Sequence, residues 1–230
     1  MSTQASIGKM LDQVLPPIPP FFAMMVDQAD ILVAGFARAA DFFAEAGAIP
    51  IADVVAIEEQ GKGLRKRHLD RLYQSYSTPV DRTELLEAIN TLEAPLGSLR
   101  LLLEEMDALG IGSDPFLVEM AVVLRESAGA LRRGYAKLAD TPSLADPDAE
   151  TGMSCLASVD QVCRKALGSL YTIDEMTLRL QAQAGEERIS AYRQLVDLLK
   201  KREIYQHFRS IAGEMHAAAS VLHTIVVQIG

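Results

Sequence analysis

Apolar positions along this chain recur in steps of three and four over runs too long for strands. No stretch shows the period of two that a half-buried strand needs. Leu85, Ile89, Leu92, Leu96, Leu99, Leu103 and Met106 form one stripe. Phe116, Met120, Val123, Leu124, Leu131 and Leu138 form a second, and Tyr205, Phe208, Ile211, Met215, Leu222, Ile225 and Ile229 a third. Each is the pattern of a helix with one buried face.

Helix breakers divide the chain. Pro16-Pro17-Ile18-Pro19-Pro20 precedes a helix predicted over 21–46, which Gly47-Ala48-Ile49-Pro50 ends. A second is predicted over 51–75, and a third over 79–109, stopping at Gly110-Ile111-Gly112. Two cap registers compete at the start of the third. Thr78-Pro79-Val80-Asp81 sets a hydroxyl before a proline, and Asp81-Arg82-Thr83-Glu84 offers a cap one turn later. Ser113-Asp114-Pro115 caps a fourth helix reaching about Ala139, and Asp140 to Gly152, rich in Pro, Asp and small residues, reads as a linker. A fifth helix is predicted from Met153; Tyr171 to Gly185 is ambiguous; a last run starts near Glu186, with a bend near Lys200-Lys201. A long helix, a second and a third thus occur twice. The expected fold is all-α, two consecutive three-helix units of long antiparallel helices over 1–112 and 113–230, forming one compact domain.

Composition narrows the function. At 230 residues and 49% hydrophobic, the chain can build a sizeable core. A net charge of -9 opposes general nucleic-acid affinity, which needs clustered cations. Cys155 and Cys163 lie eight apart on one predicted helix, too far to pair, and read as reduced core thiols of a cytoplasmic protein. Lys9 is followed by Met10-Leu11-Asp12, which is not a signal-peptide core. The apolar stretch 217–229 is short and interrupted by His223, so no bilayer span is expected.

Among polar residues, Lys62, Arg65, Lys66, Arg67 and His68 form a basic run that could touch phosphate, an acidic partner or a membrane surface. With Leu64, Leu69 and Leu72 around it, a solvated helix face is the simpler reading. His207, His216 and His223 share the last helix, and His216 and His223 share a face. They lack the paired Glu-x-x-His motifs of a di-iron bundle and read as ordinary surface or interface histidines. There is no nucleotide loop, nucleophile elbow or zinc-protease helix, and a non-enzymatic role is expected.

Phe21-Phe22 opens an amphipathic helix, Leu72 precedes Thr78-Pro79-Val80-Asp81-Arg82, and Arg202-Glu203-Ile204-Tyr205 lies in the last helix. In these features the chain resembles, over most of its length, the PhoU-like accessory proteins of Pit-type inorganic phosphate transporters. The resemblance implies a regulator that binds such a transporter and is peripheral to the membrane at most. It also implies metal clusters held by Glu-x-x-x-Asp in the second helix of each half and by Asp/Glu groups in the third. Counted without gaps, those positions fall on Glu58 and Lys62, then Glu93, Ala94 and Gly97. In the second half they fall on Leu156 and Asp160, then Arg209, Ser210 and Gly213. Most of the acids are gone.

The resulting expectation is that Glu58, Glu93 and Asp160 are metal-free remnants and that no cofactor binds. Lys62, one turn from Glu58 and facing the Glu93 helix, and Arg209, facing Asp160, would supply the missing positive charge. The competing reading is a metal-binding protein with a reduced site at Glu58, Glu93 and Asp160, helped by a histidine and holding iron, zinc or nickel. A homo-oligomer formed through the long last helix is left open.

Overall fold

The apolar stripes are buried as their spacing requires. Leu85, Ile89, Leu92, Leu96, Leu99, Leu103 and Met106 are all in the core, and so are Tyr205, Phe208, Ile211, Met215, Leu222 and Ile225. The computed structural model of the protein describes residues 20–45, 49–170 and 186–230. Among them are seven helices and no strand. They are α1 (Phe21–Glu45), α2 (Ile51–Gln74), α3 (Arg82–Thr91), α4 (Ala94–Leu109), α5 (Pro115–Lys137), α6 (Asp146–Leu170) and α7 (Glu186–Ile229). A 3-10 turn, Pro142–Ala145, leads into α6. The ambiguous segment 171–185 and most of the proline run before α1 lie outside the described residues.

Two three-helix units result, with α3 and α4 together as the third member of the first. The single long helix expected over 79–109 is divided. Pro95 has no N–H to give to the preceding turn, so the chain steps at Leu92-Glu93 and restarts with Pro95 in the first turn of α4. The apolar stripe nevertheless continues across the break, from Leu92 to Leu96. The start is also resolved: Asp81, not Thr78, is the N-cap, accepting from the Thr83 N–H at 2.8 Å.

The linker expected over 140–152 is a second correction. Helix α6 begins at Asp146, seven residues before Met153. Asp146-Pro147-Asp148 places proline and acids in a first turn, where the missing N–H costs nothing and the helix dipole favours negative charge. Ala149 is fully buried there.

Within each unit the helices run antiparallel. On α6 and α7, Cys155, Cys163 and Asp160 contact Ala212, Tyr205 and Arg209, so numbers fall on one helix as they rise on the other. The units are not separate bodies: α1 lies along α5, and both α3 and α4 reach α7. One apolar cluster runs through both, with Phe43 of α1 edge-on to Phe208 of α7 at 5.4 Å between ring centroids. Helix α7 passes unbroken through Lys200-Lys201. Its segment Leu195–Ile229 is long and apolar enough to cross a bilayer, but half of its most apolar window is buried inside the bundle. That buried half contributes to the core.

Candidate functional site

Glu58 sits on the inner face of α2 with its side chain only 4% exposed. Two cations bracket it. Lys62 Nζ, one turn along the same helix, is 3.0 Å from Oε1, and Arg100 Nε, from α4, is 2.8 Å from Oε2. Lys62 also meets Glu59 at 2.8 Å, and Arg100 meets Glu104 at 2.8 Å. Hydrogen bonds to Glu59 and Glu58 push the Lys62 ammonium above its ordinary range. A carboxylate this buried requires such partners, because desolvating it unpaired is costly. A Cβ at Gly97 would stand in ordinary contact with Glu58 Oε1, at 3.5 Å.

The expected contact of Lys62 with Glu93 is not made. Lys62 turns to its own helix, and the cross-helix cation is Arg100. Glu93 lies at the α3–α4 step with no ion pair among the described residues. Its charge acts on Glu214 of α7, whose carboxyl is pushed up chiefly by burial, while a 2.8 Å hydrogen bond from the Ser98 hydroxyl pulls it down.

In the second unit Arg209 Nε donates to Asp160 Oδ1 at 2.5 Å, joining α7 to α6. The pair is partly solvated, Asp160 being 26% and Arg209 44% exposed. A third, unanticipated pairing repeats the Glu58 arrangement. Asp148 of α6 is buried and held by Arg133, at 3.0 Å, and by Lys137, both from α5.

The two turn-and-helix motifs have structural duties. Arg82 donates to the carbonyls of Leu72 and Ser75, closing the C-terminal end of α2 while Asp81 caps α3. Tyr205 is buried and its hydroxyl donates to Asp114 Oδ2 at 2.7 Å, while Asp114 Oδ1 caps α5. Ile204 is fully buried beside it.

The other candidates are dispersed. Arg65 is tied to Asn90, whereas Lys66, Arg67 and Arg71 lie exposed on α2. His68, from the same run, is buried: Gln28 Nε2 donates to the Ile89 carbonyl, so Gln28 Oε1 is left to accept from His68 Nδ1 at 2.9 Å. Burial lowers the His68 pKa to about 4. His216 bonds the Met153 carbonyl and His223 bonds Asp146, so their shared face joins them to α6 rather than to each other. Cys155 and Cys163 are free and buried, and burial pushes both thiols up, Cys163 to about 11. They are poor nucleophiles at neutral pH.

The resemblance implies a metal, and the donors at its positions do not suit one. Both oxygens of Glu58 are engaged by side-chain cations, and Asp160 is engaged by a guanidinium. Glu58, Glu93 and Asp160 do not converge; among the described residues the one group of three close donors is Glu105, Glu203 and His207, elsewhere on the α4–α7 contact. Arg100, Asp148 and this last group were missed from the sequence, since each depends on a partner in a different helix.

No protein-family model matches the sequence, and no curated protein does. Two solved structures from Shewanella oneidensis are similar. A PhoU-like protein aligns with a TM-score of 0.52 at 13% identity, covering 90% of this chain and all of that one. A proposed PhoU-like phosphate regulatory protein aligns with a TM-score of 0.51, also at 13% identity, covering 91% of this chain and all of that one. Over nearly its whole length, the chain has the fold of these PhoU-like structures.

Proposed function

We propose that this protein is a non-enzymatic regulator of inorganic phosphate transport, acting in the cytoplasm by docking on a Pit-type transporter. Within it, side-chain cations take the place that metal ions hold in the fold's acidic signatures. The observation that carries the charge-substitution half of this reading is the cation pairing of the carboxylates at the signature positions. Glu58 is bracketed by Arg100 and Lys62, and Asp160 is held by Arg209, so helix-to-helix charge pairing is kept without a multivalent ion. A fold shared with a proposed phosphate regulatory protein supports the direction of the assignment. The capped α2–α3 hairpin and the Tyr205–Asp114 anchor supply rigidity, which suits a docking module. The reduced acidic metal site at Glu58, Glu93 and Asp160 is the less favoured reading, because its members do not meet.

The direct test is co-purification of the tagged full chain with a Pit-type transporter from detergent-solubilised membranes, together with phosphate uptake in cells with and without the chain. Stoichiometric retention and altered uptake are expected; absence of both overturns the transporter assignment. The charge-substitution half is tested by the metal content of the Glu58→Gln and Asp160→Asn variants. Iron, zinc or nickel that is present in the wild type and lost in either variant would overturn it.

A further inference from the structure

The α4–α7 contact contains one polar cluster that the charge pairing above does not use. Glu105 projects from α4, and Glu203 and His207 lie four apart, one turn, on α7, so both face the same side. One donor atom from each lies within 4.8 Å of the others, and His207 Nε2 stands 2.5 Å from Glu105 Oε2. Glu105 and His207 are each 31% exposed and Glu203 is exposed, so an ion can enter from solvent.

Cation supply separates this cluster from the rest of the interior. Glu58, Asp148, Asp160 and Asp114 each have a Lys or Arg at ion-pair distance. Among the described residues Glu105 and Glu203 have none, and three basic groups of α4 and α7 are committed elsewhere. Arg100 goes to Glu104, Lys200 to the Leu109 carbonyl and Lys201 to Asp114. Two carboxylates therefore converge with only an imidazole between them. At 2.5 Å His207 Nε2 and Glu105 Oε2 are paired through a proton, which a bound ion would displace to leave Nε2 as a ligand.

We infer that Glu105, Glu203 and His207 form a binding site for a divalent first-row transition ion of the zinc class, tying α4 of the first unit to α7 of the second. One nitrogen and two carboxylate oxygens suit zinc, cobalt or nickel better than calcium or magnesium, which prefer all-oxygen shells. Donors around one zinc ion at about 2.1 Å stand about 3.4 Å apart, so side-chain rotation alone closes the set. Three protein ligands leave a fourth position for water. The site is separate from the signature positions at Glu58 and Asp160, so it stands or falls apart from the charge-substitution reading.

The test is calorimetric titration of the full chain with Zn2+ near neutral pH, and the visible spectrum of the Co2+ form as a report on coordination. One ion per chain is expected, with a Co2+ spectrum of low coordination number containing nitrogen. Loss of a ligand should weaken Zn2+ binding at least about tenfold in His207→Ala and Glu203→Gln. Asp70→Asn, a change on the exposed face of α2, should bind like the wild type. Glu203 is exposed, so Glu203→Gln keeps the test decisive if His207→Ala folds poorly. A Zn2+-dependent rise in Tm, present in the wild type and absent in Glu203→Gln, is the second readout. No saturable binding, or binding unchanged in both site variants, overturns the inference.

Discussion

His68 makes acid sensitivity a property of one buried side chain. It is 4% exposed, and its Nδ1–H is committed to Gln28 Oε1 by the orientation of the Gln28 amide. Desolvation is the main cause of its depressed pKa, with the charges of Arg67 and Arg71 on α2 adding to it and Asp27 of α1 opposing. Above pH 6.5 the residue is neutral in both the folded and unfolded chain, and it contributes no pH dependence. Between pH 6.5 and about 4 the unfolded chain takes up a proton that the folded chain refuses, so stability falls as pH falls. A pKa lowered from 6.5 to about 4 corresponds to a loss of about 3 kcal/mol once pH is below both values, of which about 2 kcal/mol is already lost at pH 5. Against a total stability on the order of 5–15 kcal/mol, that is easily measured. The assay is urea unfolding followed by far-UV circular dichroism at pH 7.5 and pH 5. The perturbation is His68→Asn, whose amide N–H can still donate to Gln28 but does not titrate. The smaller side chain lowers stability at both pH values, so only the difference between them is read. Every other group is common to the two proteins, so its contribution cancels in the comparison. The wild type should lose about 2 kcal/mol more than the variant between the two pH values. Parallel losses would refute the reasoning.

Four further outcomes follow from local geometry and can be read by the same unfolding assay at neutral pH. A Cβ at Gly152 would meet the Ala219 Cβ at 2.7 Å, where neither helix has a flexible side chain to give way, so Gly152→Ala should cost about 1–3 kcal/mol. Gly213 faces open space inside α7, and Gly213→Ala should stabilise by roughly 0.5–1 kcal/mol. Asp81→Ala removes the α3 cap and should cost about 1 kcal/mol, whereas the same change at exposed Asp70 should be near neutral. A double-mutant cycle on Asp160 and Arg209 should give a coupling below about 1 kcal/mol that shrinks in high salt, because Arg209 is nearly half exposed.

The fold was legible because its determinants are periodic or local. Steps of three and four identified the core faces of the third, fourth and last predicted helices, and the Asp81 register was one of two caps visible in the chain. The errors came from weighing breakers by composition. Pro95 lies inside a continuous apolar stripe, so the stripe hid the break between α3 and α4. Asp140 to Gly152 carries the residues of a linker, but Asp146-Pro147-Asp148 is also a helix start, as Asp114-Pro115 is for α5. Polar partners were legible where one helical turn supplied them, as with Glu58 and Lys62, or where the resemblance set the register, as with Asp160 and Arg209. Arg100, Gln28 and Glu105 meet Glu58, His68 and His207 across 42, 40 and 102 positions of sequence. Those meetings depend on which helix lies beside which, a consequence of core packing that no local pattern encodes.

The two units treat the same registers with opposite charge. On the register that the resemblance implies, Lys62 and Glu93 in the first correspond to Asp160 and Arg209 in the second, and the position of Glu58 to Leu156. The second unit thus keeps no buried acid at that place, and one partly solvated pair joins its helices. The first keeps Glu58 fully inside, and a single exposed lysine on the same helix would leave one carboxylate oxygen facing apolar α4. Gly97 and Arg100 resolve this together. A carboxylate at residue 97, whose Cβ would stand 3.5 Å from Glu58 Oε1, would add a second negative charge beside a buried one, opposed by like-charge repulsion unless a proton or a cation offset it. With glycine there and Arg100 one turn onward, a guanidinium reaches Oε2 and the buried charge is neutralised by the protein itself. Glycine at 97 and arginine at 100 therefore belong to one arrangement around Glu58, and neither position is informative when read alone.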